Sequence, residues 1–262
     1  PPVIRVHAGG HSIRAVFYDK GKRFVPTIVF LHEGLGSIAQ WKLFPDTLAR
    51  TTGCNALVYE RRGHGASDPL TGKREPDFME REAERVLPEL LEHFGLDKVI
   101  LYGHSDGGSI ALLFAAFYPE YAQGLLTEAA HVFVEDKSLA GVSAAVERFG
   151  TSEMEERLAL YHGDNTESMF RGWADIWLSP QFRSWSIPTE TLRRIKAPVL
   201  AFQGTEDEYG STEQLRRIKN GIGKNARTLL IPNCAHFPHV QACKAVMKAA
   251  SDFITSIKRE EE

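Results

Sequence analysis

Six short apolar runs, each followed by a loop and most of them by an amphipathic stretch, constrain this chain more than any other feature. They are Thr27 to Leu31, Ala56 to Tyr59, Val99 to Tyr102, Gly124 to Leu126, Val199 to Phe202 and Thr228 to Ile231. Val/Ile/Leu runs without polar alternation are strands covered on both faces, which implies a mostly parallel sheet between layers of helix. The expected class is therefore α/β. Ahead of these runs, Val3 to His7 and Ser12 to Tyr18 flank Ala8-Gly9-Gly10-His11 and predict an antiparallel hairpin.

Counting identifies the helices. Ala83, Val86, Leu87, Leu90, Leu91 and Phe94 share one apolar face, as do Ile110, Leu113, Phe114 and Phe117. Pro88 interrupts the first set, because proline lacks a backbone donor and crowds the carbonyl four residues back, so a kink or join is expected there. Between residues 131 and 188 the alternation stops, and helix-like stretches at Ser138 to Phe149, Glu153 to Tyr161 and Glu167 to Leu178 follow one another. The expected organisation is a core of residues 1–130 and 189–262 carrying a helical insertion of residues 131–188.

Composition narrows the classes of function. The 262 residues are 43% hydrophobic and 25% charged, a globular balance, and the net charge of -3 favours neither nucleic acid nor an anionic membrane surface. No run is long and apolar enough to span a membrane. Cys54, Cys234 and Cys243 are odd in number and lack paired C-x-x-C spacing, which argues against a disulfide scaffold or a thiolate metal site. The reading is a cytoplasmic protein from a reducing compartment, with a homo-oligomer left open.

Chemistry concentrates at Gly103-His104-Ser105-Asp106-Gly107, a G-x-S-x-G between a strand and a helix. In that context it forms a nucleophile elbow, whose small flanking residues let Ser105 project above the sheet. A serine hydroxyl needs a base, and the base needs an orienting carboxylate. Asp207 and His236 follow the runs ending at Phe202 and Ile231, at the strand ends where a parallel sheet places its site. Glu128, Glu206 and Glu208 compete for the acid role, with the last two read as exposed loop charge. His239, three residues after His236, reads as a helix-surface residue.

An oxyanion needs backbone donors. One is the amide of Asp106, and the other comes from His32-Glu33-Gly34-Leu35-Gly36-Ser37, with Gly34 favoured and Leu35 second. These runs, with Arg62-Gly63-His64-Gly65-Ala66-Ser67-Asp68, strongly resemble the α/β-hydrolase superfamily, in its lidded esterase, thioesterase and carbon–carbon hydrolase branch. The resemblance implies an eight-stranded, mostly parallel sheet, a helical lid after strand six and a Ser-His-Asp triad. Glu33 stands where that family usually has glycine, and Ala235 where a glycine often precedes the histidine. Glu33 either faces solvent or enters the site and favours cationic or hydrogen-bond-donating substrates.

Phe170, Trp173 and Trp177 form an aromatic stripe that either packs the insertion onto the core or lines an apolar pocket. Glu33, Leu35, His104 and Phe133 complete the candidate substrate contacts. The expected activity is hydrolysis of a small or medium carboxylic ester through an acyl-enzyme. Thioesters and diketone carbon–carbon bonds are alternatives, and a non-catalytic binding homologue is a remote one. The partners are a small acyl substrate and water, and the chemistry calls for no metal or organic cofactor.

Overall fold

The computed structural model describes residues 1–21, 25–151 and 153–260. Its eight strands are β1 (Val3–Ala8), β2 (His11–Tyr18), β3 (Thr27–Leu31), β4 (Asn55–Glu60), β5 (Val99–His104), β6 (Ala122–Glu128), β7 (Val199–Gly204) and β8 (Ala226–Ile231). They form one sheet in the order β1-β2-β4-β3-β5-β6-β7-β8. The β1–β2 and β2–β4 pairs are antiparallel and the rest parallel. Every residue of β3, β4, β5 and β7 is buried, as the unbroken apolar runs require. Strand order reverses at β3, whose neighbours are β4 and β5, so the loops leaving β3 and β5 lie side by side.

Helix α1 (Phe44–Thr52) follows β3, and α2 (Phe78–Arg81) and α3 (Leu87–His93) precede β5. The Pro88 expectation resolves as a join: a π-helical turn over Glu82–Val86 links α2 to α3, and Pro88 sits in the first turn of α3. Proline cannot donate to the carbonyl of Glu84, and the Tyr118 hydroxyl does so instead at 2.9 Å.

Helix α4 (Asp106–Phe117) leaves β5 and is buried along nearly its whole length. Between β6 and β7 run α5 (Asp136–Phe149), α6 (Glu153–His162), α7 (Thr166–Trp177) and the short α8 (Thr189–Leu192). Helices α9 (Glu213–Ile222), α10 (Pro238–Gln241) and α11 (Cys243–Glu260) complete the chain.

Two apolar clusters lie on opposite faces of the sheet. One joins α3 and α4 to the insertion helices, and the other joins α1 and α11 to the sheet. Among the described residues no helix is long and apolar enough to cross a membrane.

Candidate active site

The turn from β5 to α4 shows why its glycines are required. Ser105 has φ 52° and ψ -118°, a strained conformation outside any helix or strand. A Cβ on Gly103 would lie 2.2 Å from the carbonyl oxygen of Gly107, and one on Gly107 would lie 2.1 Å from that of Leu31. Only glycine fits either place. The Ser105 amide is anchored to the carbonyl of Glu128 at 2.8 Å, which ties the turn to the end of β6.

Two other loops meet Ser105 there. His236 Nε2 lies 3.0 Å from Ser105 Oγ, and its Nδ1 lies 2.8 Å from Asp207 Oδ1. Asp207 Oδ1 also accepts the amides of Tyr209 at 2.9 Å and Gly210 at 3.2 Å, which fixes the carboxylate before it meets the imidazole. Burial alone would lower the His236 pKa, but the charge and hydrogen bond of Asp207 outweigh it and hold the ring above its usual 6.5, with Glu208 and Glu33 adding to the effect. Burial pushes the Asp207 pKa upward, and His236, His131 and the Tyr209 amide bring it below 3.8. This arrangement can take a proton from the hydroxyl and stabilise the imidazolium that results.

The loop after β3 is held by its carbonyls. His32 Nδ1–H donates to the carbonyl of Glu33 at 2.7 Å, and His32 Nε2 accepts the Arg61 amide at 3.0 Å. His64 Nε2 contacts the Gly34 carbonyl at 3.0 Å, and His162 Nε2–H reaches the Leu35 carbonyl at 2.9 Å. Burial, with the Arg61 guanidinium adding to it, drives the pKa values of His32 and His64 well below 6.5, so both rings are neutral. The amides of Gly34 and Asp106 donate to no protein group among the described residues. The Leu35 amide, by contrast, is spent on the Glu33 carboxylate.

Glu33 does not face solvent. It is 9% exposed and lines the cavity beside Ser105, and burial raises its pKa against the pull of the Leu35 amide, His236 and Arg61. Gly34 is explained by the insertion: a Cβ there would lie 2.2 Å from Trp173 Nε1, so α7 rests directly on the loop.

The cavity above Ser105 has a volume of about 410 Å³. Leu35, His104, Trp173 and Trp177 line it, as do His131 and Tyr209. Two expected contacts do not reach it. Phe170 stacks on Phe149 with ring centres 3.8 Å apart, inside the insertion. Phe133 lies under the Arg217 guanidinium, 3.7 Å from its centre, and bridges to Ser186. The stripe thus divides its work, with Phe170 packing and the two tryptophans lining.

His239 is also misjudged from sequence. It is 7% exposed, and its Nδ1 lies 2.9 Å from Glu128 Oε1, so Glu128 is paired with His239 rather than with His236. Glu206 and Glu208 are exposed, and Glu208 accepts the His236 amide at 3.2 Å. No group of three or more His, Cys, Asp and Glu side chains among the described residues is arranged to hold a metal ion.

Residues 28–249 match the profile of the Alpha/beta hydrolase family. The human Serine hydrolase BPHL is 28% identical over 201 residues, covering 76% of this chain and 68% of that protein. A putative 2-succinyl-6-hydroxy-2,4-cyclohexadiene-1-carboxylate synthase of Bacillus subtilis (strain 168) is 26% identical, covering 94% and 96%. Among solved structures, a thermophilic esterase from Thermogutta terrifontis superposes with a TM-score of 0.74 at 20% identity, over 98% of this chain and 99% of that one. At that identity the likeness is one of fold.

Proposed function

The chain belongs to the alpha/beta hydrolase family, and on that footing we propose that it is a serine hydrolase cleaving a small or medium carboxylic ester through an acyl-enzyme on Ser105. The observation that carries the reading is the continuous hydrogen-bonded series from Ser105 Oγ through His236 to Asp207, at 3.0 and 2.8 Å. As Ser105 Oγ bonds to the ester carbon, His236 Nε2 takes its proton, and the Gly34 and Asp106 amides receive the developing oxyanion. Each such donor contributes about 3 kcal/mol to the transition state.

His236 then returns the proton to the departing alcohol. Water, deprotonated by the same ring, adds to the acyl carbon and releases the acid, and Ser105 regains its hydrogen. Asp207 keeps the imidazole in the tautomer that points its lone pair at Ser105. The insertion acts as a lid: Trp173 and Trp177 cover the acyl group and exclude water, which strengthens the amide donors beneath.

Turnover of p-nitrophenyl butyrate tests this reading. Ser105→Ala should lower kcat by about 10⁴-fold or more, with the fold retained. Residual activity within tenfold of the native rate would remove the proposed nucleophile.

A second reading is non-hydrolytic use of the same base, favoured by the near full-length likeness to the Bacillus subtilis relative, named as a synthase. Reaction in ¹⁸O-water separates the two, since hydrolysis places one labelled oxygen in the acid product and elimination places none.

A further inference from the structure

Arg61, the first residue after β4, is 3% exposed, and the mechanism above gives it no part. Its guanidinium is always charged. Among the described residues its one ion-pair contact is a distant one, Nη2 to Asp106 Oδ2 at 4.0 Å. What it bonds closely is backbone: Nη1–H donates to the carbonyl of His32 at 2.5 Å and Nη2–H to that of Glu33 at 2.9 Å. A cation taken out of water with no carboxylate close by stabilises a fold less than an apolar side chain of its size. Stability alone therefore does not account for this residue.

The second of those bonds acts on an oxyanion donor. The Glu33 carbonyl and the Gly34 N–H belong to one trans peptide plane and point in opposite directions, so whatever holds the oxygen aims the hydrogen. Three donors converge on that oxygen: Arg61 Nη2, His32 Nδ1 at 2.7 Å and the Gly36 amide at 3.1 Å. Arg61 governs two of them. Its own amide meets His32 Nε2 at 3.0 Å, and because a backbone N–H can only donate, the proton of the neutral ring is placed on Nδ1, facing Glu33. The Gly36 bond lies within the loop and moves with it, whereas Arg61 ties the loop to the end of β4.

Only Arg61 among the three is a charged donor. A charge-assisted bond to a carbonyl is stronger than a neutral one and polarises the amide, so the N–H on its far side becomes a better donor. Asp106, which supplies the other amide, adjoins the same Nη2. We propose that Arg61 is the positioning residue of the oxyanion hole, its guanidinium fixing and polarising the Glu33–Gly34 peptide so that the Gly34 N–H is aimed before substrate arrives. The inference rests on the esterase reading and gives Arg61 no contact with substrate. Its effect is confined to the transition state, where negative charge appears on the carbonyl oxygen.

Two variants test it, Arg61→Met, which keeps much of the side-chain volume, and Arg61→Lys, which keeps the charge but loses the planar fork. Each is measured on p-nitrophenyl butyrate, with kcat counted per titrated serine, and with 1,1,1-trifluoro-2-hexanone. Ser105 Oγ bonds the carbonyl carbon of that ketone, its proton passes to His236, and the ketone oxygen becomes the oxyanion. Arg61→Met should lower kcat by about 30-fold with KM within about twofold of native, and should weaken the ketone by the same factor. Arg61→Lys should fall between Arg61→Met and the native enzyme in both, and it carries the test if Arg61→Met does not fold. A residue that only held the fold together would change the amount of active enzyme and leave its affinity for the ketone unaltered.

A kcat within about twofold of native in both variants, a loss carried by KM, or a kcat loss without a matching loss of ketone affinity overturns the role of Arg61 and leaves the esterase reading standing. Failure of the native enzyme both to hydrolyse the ester and to bind the ketone overturns both.

Discussion

The two buried histidine–carboxylate pairs are almost the same length, 2.8 Å for His236–Asp207 and 2.9 Å for His239–Glu128, yet they are built for different work. His236 turns its free nitrogen to a strained serine, whereas among the described residues no nucleophile is bonded to His239. Asp207 is steadied by two loop amides and leaves Oδ2 without a partner, while Glu128 is tied at both oxygens and anchors Tyr102. A short His–carboxylate distance therefore identifies no catalytic group by itself. What the second imidazole nitrogen meets decides the role.

The sharpest way to break this comparison is to neutralise each carboxylate in turn. Asp207→Asn should lower kcat by about 10⁴-fold by holding the wrong tautomer of His236. Glu128→Gln should cost at least a thousandfold less in rate on p-nitrophenyl butyrate. It should instead destabilise the fold by about 3 kcal/mol, because it strips a buried cluster of its charge; denaturant titration measures this. Equal rate losses would make Glu128 a second catalytic acid.

A smaller effect concerns the contact between insertion and loop. Gly34→Ala drives a methyl into Trp173 Nε1 and should reduce kcat by about 100-fold through displacement of one oxyanion donor. Pairing it with Trp173→Leu should recover part of the loss, and no recovery would detach the insertion from the donor geometry.

Two pH dependences are smaller still. The base must be neutral, and the His236 pKa is raised, so kcat/KM should fall as pH drops through a value above 6.5. Glu208→Gln removes a negative charge that favours the imidazolium, so it should carry activity to lower pH. Glu128 titrates lower in the fold than when free, so its stabilisation is full above its ordinary 4.5 and is lost as pH falls toward about 2. The acid limb of the native stability curve should therefore be steeper than that of Glu128→Gln.

Much of the scaffold was legible because strands covered on both faces must be apolar throughout, as at Val99 to Tyr102. Ser105, Asp207 and His236 could be picked out as candidates because each stands in the loop after such a run. The π-helical turn before Pro88 was visible only as an interruption, since its stabilising hydroxyl comes from Tyr118, 34 residues from Glu84.

The pairing of Glu128 with His239 spans 111 residues, and nothing local announces it. The one hint was the spacing of His236 and His239, three apart around Pro238. Phe133 and Phe170 misled for a related reason. An aromatic stripe records that a helix face is buried, not whether a cavity or a neighbouring helix covers it, and Phe149 covers Phe170. For Glu33, composition could not reveal that the Leu35 amide two residues on would hold its carboxylate indoors.

Reaction with a fluorophosphonate, followed by peptide mass mapping, tests the central claim most directly. The account predicts a single adduct on Ser105, formed rapidly in the native protein, slowed by orders of magnitude in Asp207→Asn and absent in Ser105→Ala. An unlabelled native protein, or an adduct that persists in Ser105→Ala, would contradict it.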